Sequence, residues 1–409
     1  MADDTIMPPS LFQRTWNTSE VDGLVGLQLS LPGRVFITRR SSADASAPAA
    51  EVVLRSNASD LIDLITVQVV NGTYTSTIHD WKMQVSRDDP ILKLSVRDTS
   101  TRVQGTLLVH IILNSPVRSV STSAQTILGH GTLLDNASAE AIDIAAYGNE
   151  NVWIESTGPV AVKGLTLNAY GSGNIQYTVP HLTLGNTLDL NVFGIGSVIV
   201  EAAEAFVDSV ESTVGGQGSI FVHGTYAVAD MASHILGSGS INYYPYGKCG
   251  KSKVDIVGGG NINAGSWVCL RAHASVLGSG KAIVQVVDVL DVSGIGRGHI
   301  EYFNETPSTL PSGKTGLLSG PRVEIALANT YQTFAPLATP PRQAIFVSVG
   351  PANAGWFLPS SATTTFYGVS VPHSAVLSVV GFALVAMLLA LVAVLRRKQP
   401  TRHRYSSIN

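Results

Sequence analysis

Charge is scarce in this chain of 409 residues: Asp, Glu, Lys and Arg together make up 13% of it, and the net charge is -3. Proteins that bind nucleic acid need a basic surface against the phosphates, and the only basic cluster here follows residue 395. We therefore predict no nucleic-acid partner. Cysteine is rarer still, and its 2 residues are too few for a zinc site without further ligands at the usual spacing.

The sequence also lacks the usual motifs of catalysis. Its 10 histidines share no metal-ligand spacing, and no Gly-x-Ser-x-Gly motif precedes a helical pattern. A nucleotide-binding glycine fingerprint occurs once and opens a helix, whereas the glycine pairs of this chain recur between strand patterns. We predict no catalytic residue, no cofactor and no metal site, and thus a protein that is not an enzyme.

What the chain contains instead is a repeat of the form Gly-x-Gly-x-aliphatic. Its clearest copies begin at Gly171, Gly194, Gly216, Gly237 and Gly258, so the steps are 23, 22, 21 and 21 residues. Such a period is typical of a solenoid, and the intervening apolar and alternating segments have the length and composition of strands. The sequence predicts an all-β fold: a right-handed, single-stranded parallel β-helix with coils of about 21 residues.

The aliphatic position of each repeat is expected to point into the coil, and the residue two further on shares its face because strand side chains alternate. In successive turns these positions should form one vertical file. The expected file consists of Leu133, Val152, Ile175, Val198, Ile220, Ile241, Ile262, Ala282 and Ile300.

The positions between the inward ones should point outward. There Trp153, Ile199 and Phe221 would form part of an exposed apolar strip suited to contact with a ligand. The alternative is that the N-terminal strands or the Pro-rich stalk at 306–374 cover this strip.

Cys249 and Cys269 are 20 residues apart, nearly one coil. Adjacent turns would bring their Cα atoms to about 5 Å, which is within the range of a disulfide. We predict that they are bonded, and the alternative is a pair of buried free thiols.

Acidic residues offer the best case for an enzyme. Asp143 and Asp189 recur at one offset from the glycine pairs, and Asp255 and Asp291 recur at another. Parallel β-helices can host polysaccharide lyases and hydrolases, so a carbohydrate-active enzyme is the alternative function. The members of each pair are expected two turns apart, about 10 Å, without a neighbouring basic residue, and we interpret them as solvated side chains.

The chain ends in an apolar run at residues 375–395, which is long enough to span a bilayer as a helix. Basic residues follow it in the tail at 396–409, so the positive-inside rule predicts a single-pass membrane protein with an extracellular or lumenal domain and a cytoplasmic tail.

The first ten residues show neither a basic nor an apolar signal region. We expect a leader that precedes this sequence, and the alternative is a tail-anchored cytosolic scaffold. Five Asn-x-Ser/Thr sequons agree with an external domain. The predicted glycosylation sites are Asn17, Asn57, Asn71, Asn136 and Asn304.

These features divide the chain into five parts. Residues 1–20 are expected to be disordered, and residues 21–305 form the β-helix, with irregular capping coils at 21–120 and regular repeats at 121–305. Residues 306–374, which are rich in Pro, Ser and Thr, are predicted to be a juxtamembrane stalk, part of which packs against the end of the rod. The transmembrane helix and the tail follow.

The order of features resembles the family described as putative auto-transporter adhesin, head GIN domain. The resemblance rests on the opening segment from Gly23, the Leu92–Val96 and Leu107–Ile112 strands, and the serial Gly-Ser-Gly-Asn/Ser-Ile motifs, over residues 21–305. It implies a right-handed β-helix and a role at the cell surface, without catalytic residues. The predicted function is adhesion or binding of a glycan or protein ligand.

Overall fold

The computed structural model describes residues 12–18, 23–41, 47–73, 88–97, 101–311 and 320–350, and the backbone of 363–366 and 369–372. These residues are mostly strand and contain almost no helix. The N-terminal elements are β1 (Phe12–Asn17), β2 (Gly26–Ser30), β3 (Arg34–Arg39), β4 (Ala50–Ser56), the short helix α1 (Ser59–Leu64), β5 (Ile65–Thr73), β6 (Asp88–Val96), β7 (Val103–Leu113), β8 (Ser119–Thr122) and β9 (Gln125–Leu128).

The following strands build a solenoid of about nine turns, in which each strand pairs in parallel with the strand of the next turn. They are β10 (Asn136–Gly148), β11 (Val152–Glu155), β12 (Val160–Gly171), β13 (Ile175–Gly194), β14 (Ser197–Gly216), β15 (Ser219–Gly237), β16 (Ser240–Gly258), β17 (Asn261–Gly278), β18 (Lys281–Gly296) and β19 (His299–Tyr302). The all-β solenoid predicted from the repeat is confirmed.

The predicted interior file is present from β11 to β19. Neighbouring members of the file are register partners, and each of them is 0% exposed. Leu133 was wrongly included, because the glycine pair before it forms a turn. Thr126 of β9 takes the place next to Val152, and Leu133 instead bridges to Val117.

A column of glycines fixes the bend of each turn. The first glycines of the repeat are register partners from Gly148 to Gly296, and those from Gly171 onward adopt φ between 124° and 143°. In a typical bend the backbone N–H groups of Ile195 and Gly196 both donate to the carbonyl of Gly171, at 2.9 and 3.0 Å. A Cβ atom at Gly194 would lie 2.2 Å from that same carbonyl oxygen. Both the left-handed torsion and the close approach therefore require glycine.

We expect Gly194→Ala to lower the free energy of unfolding by about 3 kcal/mol or more, because the methyl group meets backbone that cannot move aside. Gly185→Ala is the matched control, since a Cβ there meets nothing within 4 Å. Urea denaturation followed by circular dichroism measures both variants. Equal midpoints for the two would contradict the role assigned to the glycine column.

The N-terminal cap combines parallel and antiparallel pairing. Strands β2 and β3 pair in parallel with β8 and β9, so they form an irregular first turn on the solenoid. Beyond β3 lies β7, and the antiparallel strands β4 and β1 follow it outward. The reversal of direction ends the parallel stack and covers its apolar edge.

After the last solenoid turn the chain returns along the outside. β20 (Arg322–Ile325) pairs in parallel with β19 as one more turn. Residues 326–344, here called the strap, contain no regular strand, and β21 (Ile345–Val349) pairs antiparallel with β7 at the opposite end of the solenoid. Residues 320–350, which belong to the predicted stalk, therefore pack on the solenoid along its length.

Cys249 and Cys269 occupy register positions on β16 and β17, and a disulfide joins them. Their Cα atoms are 4.4 Å apart, and both side chains are buried. Closing a loop of 20 residues stabilises a fold by about 3 kcal/mol in the chain-entropy account.

A second compact unit comprises Trp356–Asn409. Its described strands, β22 (Thr363–Phe366) and β23 (Val369–Pro372), form an antiparallel pair. No helix among the described residues has the length and apolarity to cross a membrane. The apolar run at 375–395 lies outside the described residues.

Candidate functional site: the face beneath the strap

The predicted contact strip is covered. Trp153, Ile199 and Phe221 do share one outward column of register partners, but their exposed fractions are only 6%, 3% and 8%. The expectation that they are exposed was wrong because the strap lies over them. The alternative that named the stalk as the cover agrees with the structure, since the strap lies within residues 306–374.

Two apolar clusters join the strap to this face. Phe334 packs on Ile199, Phe221 and Tyr244, and its ring centroid lies 5.9 Å from that of Phe221. Leu337 packs on the second cluster, which surrounds Trp153. Since the rest of the strap is mostly exposed, these two side chains are its principal apolar anchors.

The apolar side chains that the strap turns towards the face recur at every third residue. Tyr331 stacks on Tyr244 with centroids 4.9 Å apart, and Phe334, Leu337 and Pro340 are half-buried, while the residues between them are exposed. A polyproline II helix has three residues per turn, so it places such residues on one side. Gln332 lies beside β16 and Leu337 lies beside β13, so the strap crosses three turns of the solenoid between them. The chain therefore rises by roughly 3 Å per residue, which is the rise of a polyproline II helix.

Side chains of the face bind the main chain of the strap. The amide oxygens of Gln176 and Asn242 accept the N–H groups of Leu337 and Gln332, each at 2.9 Å. The indole N–H of Trp153 donates to the carbonyl of Leu337 at 3.2 Å. Paired donors and acceptors of this kind recognise an extended backbone rather than one side-chain sequence.

The C-terminal end of the strap is held by two arginines. Arg34 of β3 donates to the carbonyl of Pro341 at 2.8 Å. Arg342 donates to Nδ1 of His110 on β7, whose Nε2 lies 2.8 Å from the hydroxyl of Thr38. Because a guanidinium can only donate, His110 is neutral, with its hydrogen on Nε2.

Burial lowers the pKa of His110 from 6.5 to about 4, and the positive charges of Arg342 and Arg55 add to the effect. The unfolded chain binds a proton on this histidine at a higher pH than the folded chain does. The stability that the neutral form contributes is therefore complete above pH 6.5 and is lost as the pH falls towards 4.

We expect amide hydrogen exchange at the C-terminal end of the strap, corrected for intrinsic rates, to accelerate as the pH falls through this window. The variant His110→Gln keeps an acceptor for Arg342 and a donor for Thr38 but does not titrate, so its protection should be constant over the same range. Parallel pH profiles for the two proteins would show that His110 does not control this end of the strap.

The variant Gln176→Leu should expose the amide of Leu337, because its acceptor is lost while the apolar contact is kept. Loss of one such bond costs about 1 kcal/mol, and exchange of that amide should become roughly fivefold faster. Gln217→Leu, at an exposed bend, is the matched control and should leave the strap unchanged. Hydrogen exchange resolved to single residues measures the difference.

Another outward column, which the sequence analysis missed, carries an aromatic ladder. The rings of Tyr147, Tyr170 and Phe193 are stacked, with centroid distances of 5.1 and 5.5 Å. Each precedes the first glycine of its repeat, so the pattern was visible in the sequence. Because the rings cover one another's faces, the ladder ties turns together more than it offers a flat surface.

The acidic residues considered for an enzyme take part in polar contacts along the solenoid. Carboxylate oxygens of Asp143 and Asp189 accept hydrogen bonds from Asn168 and Asn191, at 3.3 and 2.9 Å. Asn191 also donates to Asn168 on the neighbouring turn at 3.1 Å. Within the described residues, no group of three or more His, Cys, Asp or Glu side chains is placed to hold a metal ion.

Several histidines pair with a carboxylate on an adjacent turn. These pairs could not be recognised from the sequence, because the two partners lie far apart along the chain. Burial favours the neutral form of Asp255, but hydrogen bonds and charges from His234 and Lys253 outweigh it and lower its pKa. The pairs, at 2.9–3.5 Å, are His181–Glu204, His223–Glu201, His234–Asp255, His273–Asp291 and His299–Glu324.

Residues 224–306 match the family model described as "Putative auto-transporter adhesin, head GIN domain". The resemblance drawn from the glycine repeat is confirmed there. The matched range covers the later regular turns and is shorter than the range of 21–305 over which the resemblance was drawn. No curated protein matches the chain.

Solved structures of low sequence identity are also similar to the chain. A "putative adhesin" from Parabacteroides distasonis is 15% identical over 71% of this chain and 96% of its own, with a TM-score of 0.46. A "putative adhesin" from Parabacteroides merdae is 14% identical, over 77% and 95%, with a TM-score of 0.38. A "putative lipid binding protein" from Parabacteroides distasonis is 14% identical, over 77% and 96%, with a TM-score of 0.34.

Proposed function

We propose that this chain is a non-enzymatic, single-pass membrane protein that displays its solenoid at the cell surface for adhesion. The observation that carries the proposal is the unbroken parallel stack from β10 to β20, whose outer faces repeat the same backbone frame at every turn. Such a frame presents many similar contacts in a row, and weak contacts in series add up through avidity. The match of residues 224–306 supports the same conclusion.

The arrangement in the membrane is part of the proposal. Residues 375–395 form the transmembrane helix, the basic tail is cytoplasmic, and the solenoid, wound as a right-handed coil, is extracellular or lumenal. An oxidising compartment agrees with the disulfide between Cys249 and Cys269. The ligand that the surface meets is a glycan or a protein.

The five sequon asparagines test this topology, since all of them are exposed in the structure. We expect the protein expressed in a eukaryotic cell from its natural reading frame, with no added signal peptide, to shift to lower mass after glycosidase treatment. Each single Asn→Gln variant should remove at most one step of the shift. An unshifted protein whose two cysteines react with a thiol reagent would instead favour the cytosolic scaffold.

A further inference from the structure

We propose that the face beneath the strap is a docking groove for an extended, proline-rich polypeptide, and that the strap of a second copy of this chain can occupy it in trans. This inference rests on the proposed display function, because it names a partner that copies displayed on a surface would meet. Binding in the groove is nevertheless measurable in solution, wherever the chain resides.

The polar groups beneath the strap point in an unusual direction. On two other outer columns amides bond to each other across turns, as Asn174 does with Asn151 at 3.0 Å. Beneath the strap, the oxygen of Gln176 is instead directed at a main-chain N–H group, and that of Asn242 accepts one in addition to the amide of Asn263 at 2.7 Å. Without an occupant the oxygen of Gln176 would lose its partner and Trp153 would lose its acceptor, whereas the oxygen of Asn242 would keep its bond from Asn263.

The strap is rich in proline. Pro336, Pro340 and Pro341 have no N–H group, which prevents the strap from pairing as a further strand. The strap is therefore held by side chains and by the period-three anchors Phe334 and Leu337. A segment bound in this way can leave without breaking the backbone ladder of the solenoid.

A second copy of the chain can supply the competing segment. The face contacts the strap through its backbone and through its side chains, including the ring of Tyr331 and the amide of Gln332, and none of these contacts depends on which molecule supplies the segment. Every copy of the chain carries one such segment. The resident strap competes at an effective concentration on the order of millimolar, so exchange requires dense packing of copies, as on a surface.

A labelled synthetic peptide of residues 326–344 is the probe, and its binding to the full-length chain in detergent is followed by fluorescence anisotropy. The double variant Phe334→Ser, Leu337→Ser loosens the resident strap and should bind the peptide at least tenfold more tightly than the unaltered chain. Adding Gln176→Leu and Trp153→Phe to that variant should abolish the gain. A peptide with serine at both anchor positions is the matched control and should bind neither protein.

A second measurement does not depend on a weakened strap. Ser240 and Gln332 touch through their side-chain oxygens at 3.0 Å. A Ser240→Cys chain mixed with a Gln332→Cys chain should form a covalent heterodimer whose yield rises with concentration. The proposal is overturned if no heterodimer forms and the peptide does not distinguish the loosened protein from the unaltered one. If the proposed surface location were wrong instead, the glycosidase shift would be missing while the peptide still bound to the loosened protein.

Discussion

The register between successive turns is the constraint on which the rest of the structure depends. It is fixed where Gly171, Gly194 and their equivalents meet, because the N–H groups of one bend bond to the carbonyl of the previous bend. Once that contact is made, the inward residues of every strand fall into files, and so do the outward ones. The interior core, the aromatic ladder, the histidine–carboxylate pairs and the groove are consequences of one alignment repeated about nine times.

The parts of the fold that follow this local rule could be predicted from the sequence. The file through Ile175, Val198 and Ile220 depends only on the distance of each residue from a glycine pair and on the alternation of strand side chains. Leu133 was misplaced because its glycine pair lies in a turn before the regular bends begin. The antiparallel cap was not foreseen, since the pairing of β4 with β7 joins segments that have no repeat in common.

Only part of the candidate site could be predicted from the sequence. The shared column of Trp153, Ile199 and Phe221 followed from periodicity, but the cover came from residues more than a hundred positions later in the chain. Nothing in the composition of the strap marks its partners, because most of its polar contacts use main-chain atoms. The anchors at Phe334 and Leu337 carry a signal, a spacing of three beside prolines, that becomes readable only when a polyproline conformation is assumed.

Because the chain returns along the outside of the solenoid, the first and the last strand of the described solenoid unit lie at the same end. The outermost N-terminal strand, β1, joins β4, β4 joins β7, and β7 also pairs with β21, where the strap ends. Among the described residues, only segments from the middle of the unit reach the opposite end, around β18 and β19. A tether attached at the first or the last strand would pull on the antiparallel cap, so tension would load β7 and its neighbours while the stacked turns beyond them stay unstressed.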